Sequence, residues 1–216
     1  MDEESLPRFL SIPEIRAQLE LGDTPQIRLL PGERCPFQNE QGLCEMILRY
    51  GEGMLCQICR DHPRFRNYWS DRVEMGLGLV CEEAGRLILS WETPIQLITL
   101  EDDGEANKLP EDEEELLELR EKLLRGISAA GPEARLKEYL IYRHLPDALY
   151  DGRLEARLRF IDAAAQEILG AWLETDGSFE SLVECARRFS YDVEYDDEEL
   201  ERRLSACDTA LSDEAE

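Results

Sequence analysis

Five cysteines within 47 residues, Cys35, Cys44, Cys56, Cys59 and Cys81, are the side chains of this 216-residue sequence best equipped for chemistry. Their spacing is C-x8-C-x11-C-x2-C-x21-C. The pair in Cys56-Gln-Ile-Cys59 can bind zinc, bind an iron–sulfur cluster or act as a redox dithiol. A dithiol of the thioredoxin type needs a βαβ pattern around it, and the sequence shows none. So dense a grouping of thiols points to a metal or cluster site; the alternative is a set of buried cysteines used as small apolar residues. A closed zinc site and a [4Fe–4S] cluster each take four ligands, one fewer than the five available. Zinc knuckles usually present two CxxC-like pairs. Only one is present here, and Cys35 and Cys44 are too widely spaced to make the second, which favours iron–sulfur over zinc. Cys185 and Cys207 lie far downstream in helical-looking sequence. Seven cysteines, an odd number, with no export signal do not read as a disulfide framework.

Other residues near the cysteines have two readings each. His62 follows Cys59 by three and is a ligand or a packing residue, whereas His144 falls inside a predicted helix and reads as structural. Arg60, Arg64 and Arg66 can balance a negatively charged cluster or grip a carboxylate, since guanidinium suits bidentate recognition. They can equally pair with the surrounding acids. Glu74, Glu82 and Glu83 can orient a lysine ammonium or accept its proton, or serve as surface charge at a helix start. Val73-Glu-Met-Gly-Leu-Gly78 has the spacing of a nucleotide-type glycine-rich loop. That loop requires an alternating α/β sheet, which the helical second half does not supply, so the match reads as chance.

The elements that must position these residues follow from periodicity and punctuation. Ser11 with Glu14 makes a capping-box pattern and predicts a helix over 11–21. Glycines and prolines then break 35–66 into short pieces, as in a chain folded around a metal centre. Residues 81–91 predict a helix ended by Thr93-Pro94, and the β-branched run 95–100 predicts a short strand. Acidic residues 101–115 read as a linker with the domain join near Glu101-Asp-Asp-Gly104. Apolar residues at helical spacing predict helices over 111–127, 132–145 and 153–174. Ser178 caps another to about Phe189, and Asp196-Asp197 starts a last one to about Cys207, followed by a frayed tail over 211–216. The expected fold class is mainly α, with an irregular cysteine-rich metal-binding segment (1–100) packed on a C-terminal helical bundle (101–216).

Composition excludes several function classes. The chain carries 24 basic and 49 acidic residues, a net charge of −25. That opposes binding to nucleic acid phosphates and to anionic membranes. No apolar run is long enough to span a bilayer. Met1-Asp-Glu-Glu-Ser5 lacks an apolar signal core, so a cytoplasmic protein is expected. The acid excess is concentrated after residue 90, where 14 basic residues face 34 acidic ones. Only three of the basic residues are lysines: Lys108, Lys122 and Lys137.

Several segments carry a family resemblance. Cys35-Pro-Phe-Gln-Asn-Glu-Gln-Gly-Leu-Cys44 resembles a CPF…GLC segment, and Leu55-Cys-Gln-Ile-Cys59-Arg-Asp-His-Pro-Arg64-Phe resembles a CR-x-(aromatic or His)-PR segment. Glu74-Met-Gly-Leu-Gly-Leu-Val-Cys81-Glu-Glu-Ala84 resembles E-x-x-L-x-L-x-C-x-E-A. Tyr139-Leu-Ile-Tyr-Arg143-His-Leu resembles a YL-x-YR-x-L helix, and Arg188-Phe-Ser-Tyr-Asp-Val-Glu194 an R-x-x-S…E segment. In this order they are similar to the bacterial flagellin lysine-N-methylase (FliB-type) family, over about residues 30–205. The resemblance implies a cytoplasmic enzyme that moves methyl groups from S-adenosylmethionine to lysines of flagellin, with an iron–sulfur or similar metal centre. It matches Cys35, Cys44, Cys59 and Cys81 to the family's cysteines, which makes them the expected metal ligands, with Cys56 in or beside the site. Family members usually open with a further C-x-x-x-CC segment. This chain has no cysteine before Cys35 and reads as a shortened member. The sequence itself contains no separate S-adenosylmethionine motif, so the methyl donor comes from the resemblance alone. The alternative function is a non-catalytic metal- or iron–sulfur-binding redox or interaction protein.

Overall fold

The computed structural model describes residues 1–32, 34–102, 104, 107–127 and 130–214, with side chains to Thr209. It divides into two compact units, Met1–His62 and Pro63–Glu216. The cysteine-bearing stretch expected to run to residue 100 therefore spans both. Asp103, within the expected join, lies outside the described residues.

The first unit is made of short elements: α1 (Ser5–Leu10), α2 (Pro13–Arg16), a two-residue antiparallel pair β1 (Leu19–Glu20) and β2 (Gln26–Ile27), α3 (Glu45–Tyr50) and α4 (Gln57–Asp61). Its core is small: Phe9, Ile15, Leu19, Met46, Leu55 and Cys56. The single helix predicted over 11–21 is replaced by α2 and β1. Ser11 does not cap α2; its hydroxyl donates to the carbonyl of Arg8 at the end of α1 (2.6 Å), and Ile12 occupies the α2 N-cap without a side-chain bond. Asp2 provides a cap instead. Its carboxylate accepts Ser5 N–H (2.8 Å) at the start of α1 and Gln57 N–H (2.9 Å) at the start of α4. The Ser5 hydroxyl, followed by the Gln57 and Ser5 amides, holds it well below the usual carboxylate range.

The second unit opens with an antiparallel hairpin, β3 (Arg64–Tyr68) and β4 (Val73–Leu77), registered so that Phe65 faces Gly76 and Asn67 faces Glu74. The remainder is helical: α5 (Glu82–Ser90), α6 (Glu111–Gly126), α7 (Pro132–His144), α8 (Ala148–Asp151), α9 (Leu154–Leu173), α10 (Phe179–Phe189) and α11 (Asp197–Glu214). One π-helical turn, Ser190–Glu194, joins α10 to α11. The mainly helical architecture agrees with the sequence, and α5, α6, α7, α9 and α10 start and end within two residues of their predicted limits. Ser178 caps α10 as expected, accepting Ser181 N–H at 3.2 Å. α11 continues past Cys207. The strand predicted over 95–100 does not form. Ile98 and Leu100 are exposed, and the Ile95 N–H donates to the Glu138 carboxylate (2.9 Å) rather than to a neighbouring strand. β propensity without a partner strand produces no ladder.

Leu79, Leu89, Leu136, Leu140, Phe160, Ile168, Leu182 and Leu204 anchor the core of this unit. The hairpin is fastened to α6 by a buried ion pair. Arg120 donates to both oxygens of Glu74 (2.6 and 2.9 Å), and its guanidinium lies over the rings of Trp69 (5.3 Å) and Tyr142 (4.9 Å). Among the described residues, no helix is long and apolar enough to cross a membrane.

Candidate metal centre

Four of the five clustered cysteines, Cys35, Cys44, Cys56 and Cys59, belong to the first unit. The loop from Cys35 to Cys44 folds back on itself. Gln38 N–H donates to the Cys35 carbonyl (3.1 Å), and Asn39 Oδ1 accepts the N–H groups of Gln41 (3.0 Å) and Leu43 (2.9 Å). Gly42 takes a left-handed backbone conformation (φ 78°), which permits this tight turn. The turn pairs Gln38 with Cys44 and ends where Glu45 N–H donates to the Phe37 carbonyl (2.7 Å). Cys44 thereby becomes the extended residue that precedes α3, packed against the same small core that contains Cys56.

Cys56 precedes α4 in the same way, and Cys59 follows one helical turn later. This i, i+3 spacing brings the two Sγ atoms to 3.4 Å, within a shared hydrogen bond. Cys56 is buried and Cys59 exposed. Sharing a proton with Cys59 draws the Cys56 thiol down to about 6, against the opposing effects of burial and the Asp2 carboxylate. Cys59 moves far upward, chiefly because of its bond to Cys56, with partial desolvation of its sulfur and the Cys56 charge adding to it. The lowering at Cys56 favours its thiolate, the form that both a metal ligand and a nucleophile need.

Sulfurs bound to one tetrahedral zinc at 2.3 Å stand about 3.8 Å apart, so the Cys56–Cys59 pair fits one edge of such a site to within a few tenths of an ångström. Among the described residues, no three His, Cys, Asp or Glu side chains are closed into a group able to hold a metal ion. The structure therefore forms the pair, and Cys35 and Cys44 are the other two thiols of the same unit from which a four-sulfur set would have to be completed. The donor chemistry, all thiolate, suits zinc or an iron–sulfur cluster.

Cys81 belongs to the second unit, where it is the extended residue preceding α5. His62 follows α4, and burial lowers its pKa. Glu74 is occupied by Arg120 and Arg72, which makes it a structural group. Glu82 and Glu83 sit on the first turn of α5 and pair with Arg86 at 3.1 and 3.7 Å. Val73–Gly78 forms strand β4 and its exit in an antiparallel hairpin, so the glycine spacing is not a phosphate loop.

The sequence reading did not find the buried polar cluster around Glu194, whose carboxylate accepts the Tyr139 hydroxyl (2.9 Å) and the His144 Nε2–H (2.7 Å). The one available signal was His144, a histidine set among the apolar residues of α7. Comparison with family models, with curated proteins and with solved structures finds no match.

Proposed function

We propose that this protein is a thiolate-ligated metal or iron–sulfur protein of the flagellin lysine-N-methylase type, with Cys35, Cys44, Cys56 and Cys59 as the ligand set. The observation that carries the centre is the 3.4 Å approach of Cys56 and Cys59, with Cys44 packed against the same small core as Cys56. In this reading Cys56 is a full ligand, and Cys81, which the resemblance also matches, is left out of the set because it belongs to the second unit. Bound there, a [4Fe–4S] cluster supplies redox or electrostatic chemistry, and zinc supplies structural closure. The methylation reading rests on the resemblance of the cysteine segments and the two later segments to that family. In the transfer it implies, the neutral Nζ of a flagellin lysine attacks the methyl carbon of S-adenosylmethionine. The carbon–sulfur bond breaks, S-adenosylhomocysteine leaves with the electron pair, and the ammonium product loses a proton to solvent or to a carboxylate.

A second reading is favoured by the thiol of about 6 at Cys56 beside a protonated Cys59, the pattern of a reactive dithiol. In that reading the protein is a non-catalytic redox or interaction protein.

The test begins with full chain purified without oxygen. Iron, acid-labile sulfide and zinc per chain are measured, and methyl incorporation into flagellin lysines from labelled S-adenosylmethionine follows. About four irons and four sulfides per chain are expected for a cubane, with methyl incorporation that Cys56→Ala and Cys59→Ala abolish. An intact centre with no incorporation would remove the methylase reading and leave the redox one.

A further inference from the structure

The stretch that delivers the thiol pair is gripped at both ends by side chains in and just before α1. Asp2 Oδ2 accepts the N–H of Gln57 (2.9 Å), the residue that directly follows Cys56. Arg8 Nη1 donates to the carbonyl of Gly53 (2.9 Å), which precedes Cys56 in the same stretch. Ser5 joins the two. Its N–H donates to Asp2 Oδ1 (2.8 Å), and its hydroxyl oxygen accepts Arg8 Nη2 (3.1 Å). Ser5 is fully buried. Asp2, Ser5 and Arg8 thus form a continuous hydrogen-bonded clip that holds Gly53 at one end and Gln57 at the other. Between those ends, Leu55 and Cys56 are buried in the same small core as Phe9 of α1.

Helix α4 needs such a hold. It has five residues, and a helix this short is not stable through its own bonds. Arg60 N–H donates to the Cys56 carbonyl (3.1 Å) and His62 N–H to the Ile58 carbonyl (3.0 Å). The first N–H groups of any helix lack partners within it, and the N-cap residue Cys56 makes no side-chain cap bond. Asp2 fills that role from 55 positions away. The 3.4 Å approach of the Cys56 and Cys59 sulfurs depends on this turn being helical. When the turn frays, the pair opens, and an ion that needs both sulfurs loses its preformed edge.

The charge of Asp2 is not what the pair gains. A carboxylate beside Cys56 opposes its thiolate. A neutral oxygen acceptor would cap Gln57 without that opposition. The contribution of Asp2 is therefore the direction of its hydrogen bond.

We propose that Asp2, acting through the Gln57 amide, is a positioning residue for the Cys56–Cys59 ligand pair, with Arg8 anchoring the other end of the same stretch. The inference rests on the metal-centre reading in giving the pair an ion to hold. Its test reads the turn as well as the metal, so the two fail separately.

The experiment is a cobalt(II) titration of the full chain, reduced and free of oxygen, followed by the thiolate-to-cobalt charge-transfer absorption. Hydrogen exchange of the metal-free chain accompanies it. Loss of one helix cap of ordinary strength corresponds to about a fivefold change. Asp2→Ala should weaken cobalt binding, and speed exchange of the Gln57 and Arg60 amides, by about that factor. The Leu48 amide, bonded to the Cys44 carbonyl in α3 (3.1 Å), is the reference within the same unit and should keep its rate. Asp2→Asn retains an acceptor oxygen, ranks with Asp as a cap, and should restore both binding and exchange. Unchanged exchange at Gln57 and Arg60 in Asp2→Ala would overturn the proposal. So would equal acceleration at Leu48, which marks a general loosening of the unit. Local acceleration with undiminished cobalt affinity would overturn it too, as would Asp2→Asn binding cobalt as weakly as Asp2→Ala. An unaltered chain that develops no charge-transfer band removes the metal reading instead, and the exchange ratios then decide whether Asp2 positions the thiol pair.

Discussion

Cys56 and Cys59 differ in what their removal should do to bound metal compared with Cys185, which lies on α10 among apolar side chains. Cys56→Ser and Cys59→Ser are each expected to abolish metal retention after gel filtration, measured by elemental analysis, while Cys185→Ser retains the wild-type content. Arg120 illustrates the other use of buried charge. Its side chain is 3% exposed and both its bonds go to one carboxylate. Arg120→Met leaves Glu74 buried with only the half-exposed Arg72 beside it, and should lower unfolding free energy by about 3–5 kcal/mol in urea titration. The same pair predicts an acid dependence. Burial raises the Glu74 carboxyl, but the hydrogen bond and charge of Arg120 prevail and hold it below its ordinary value of 4.5. A carboxyl lowered in the folded state stabilises the fold above its unfolded pKa, and that contribution is lost as pH falls through the folded value. Stability should therefore decline below about pH 4.5, and the decline should be shallower in Glu74→Gln, measured by denaturant titration across that range.

The elements divide into those whose determinants are local and those whose determinants are not. Ser178 caps α10 through the Ser181 amide, and Ser178→Ala should cost about 1 kcal/mol in thermal or urea unfolding. That cap was legible because the capping residue and its target lie three residues apart. Helices α6, α7 and α9 were legible because their apolar spacing repeats over three turns or more. The β3–β4 hairpin was not. Its turn lacks a glycine–asparagine signal, and β4 was read through its glycines. Gly76 faces Phe65 across the hairpin, and that ring fills the space of a side chain: an added Cβ would lie 2.4 Å from Phe65 Cζ. The ring cannot simply move, because it meets Tyr139 edge-on at 6.2 Å and Arg143 lies over it at 5.4 Å. Gly76→Ala should destabilise by about 1–3 kcal/mol through this clash, measurable as a lowered urea midpoint. The strand expected over 95–100 failed for the converse reason, since its residues have the propensity and no neighbour supplies the ladder.

At the scale of the molecule, the two units have separate cores, one built on Phe9, Ile15 and Met46 and the other on the helices from α5 onward. Calorimetry of the full chain should show two transitions. Reconstitution with metal should raise the one belonging to Met1–His62 and leave the other unmoved, because a ligand stabilises the state that binds it. Movement of both transitions would count against a ligand set confined to Cys35, Cys44, Cys56 and Cys59. How much of the site was legible follows from the same division. The CxxC pair is visible in the sequence because one helical turn brings Cys56 and Cys59 together. The placement of Cys35 and Cys44 depends on a turn set by Asn39 and Gly42, which no spacing rule encodes. The bonds of Tyr139 to the Glu194 carboxylate and to the Leu79 amide span more than a hundred residues and exist only once the helices have packed.

The Glu74–Arg120 pair also constrains how this chain can drift through sequence space. Either residue changed alone leaves its partner as an uncompensated buried charge, whereas replacing both with apolar groups of similar volume is close to neutral. A lineage that has acquired the pair can abandon it only by passing through a strongly destabilised single mutant. Descendants should therefore retain both residues or neither, and the two positions should covary even though 46 residues separate them.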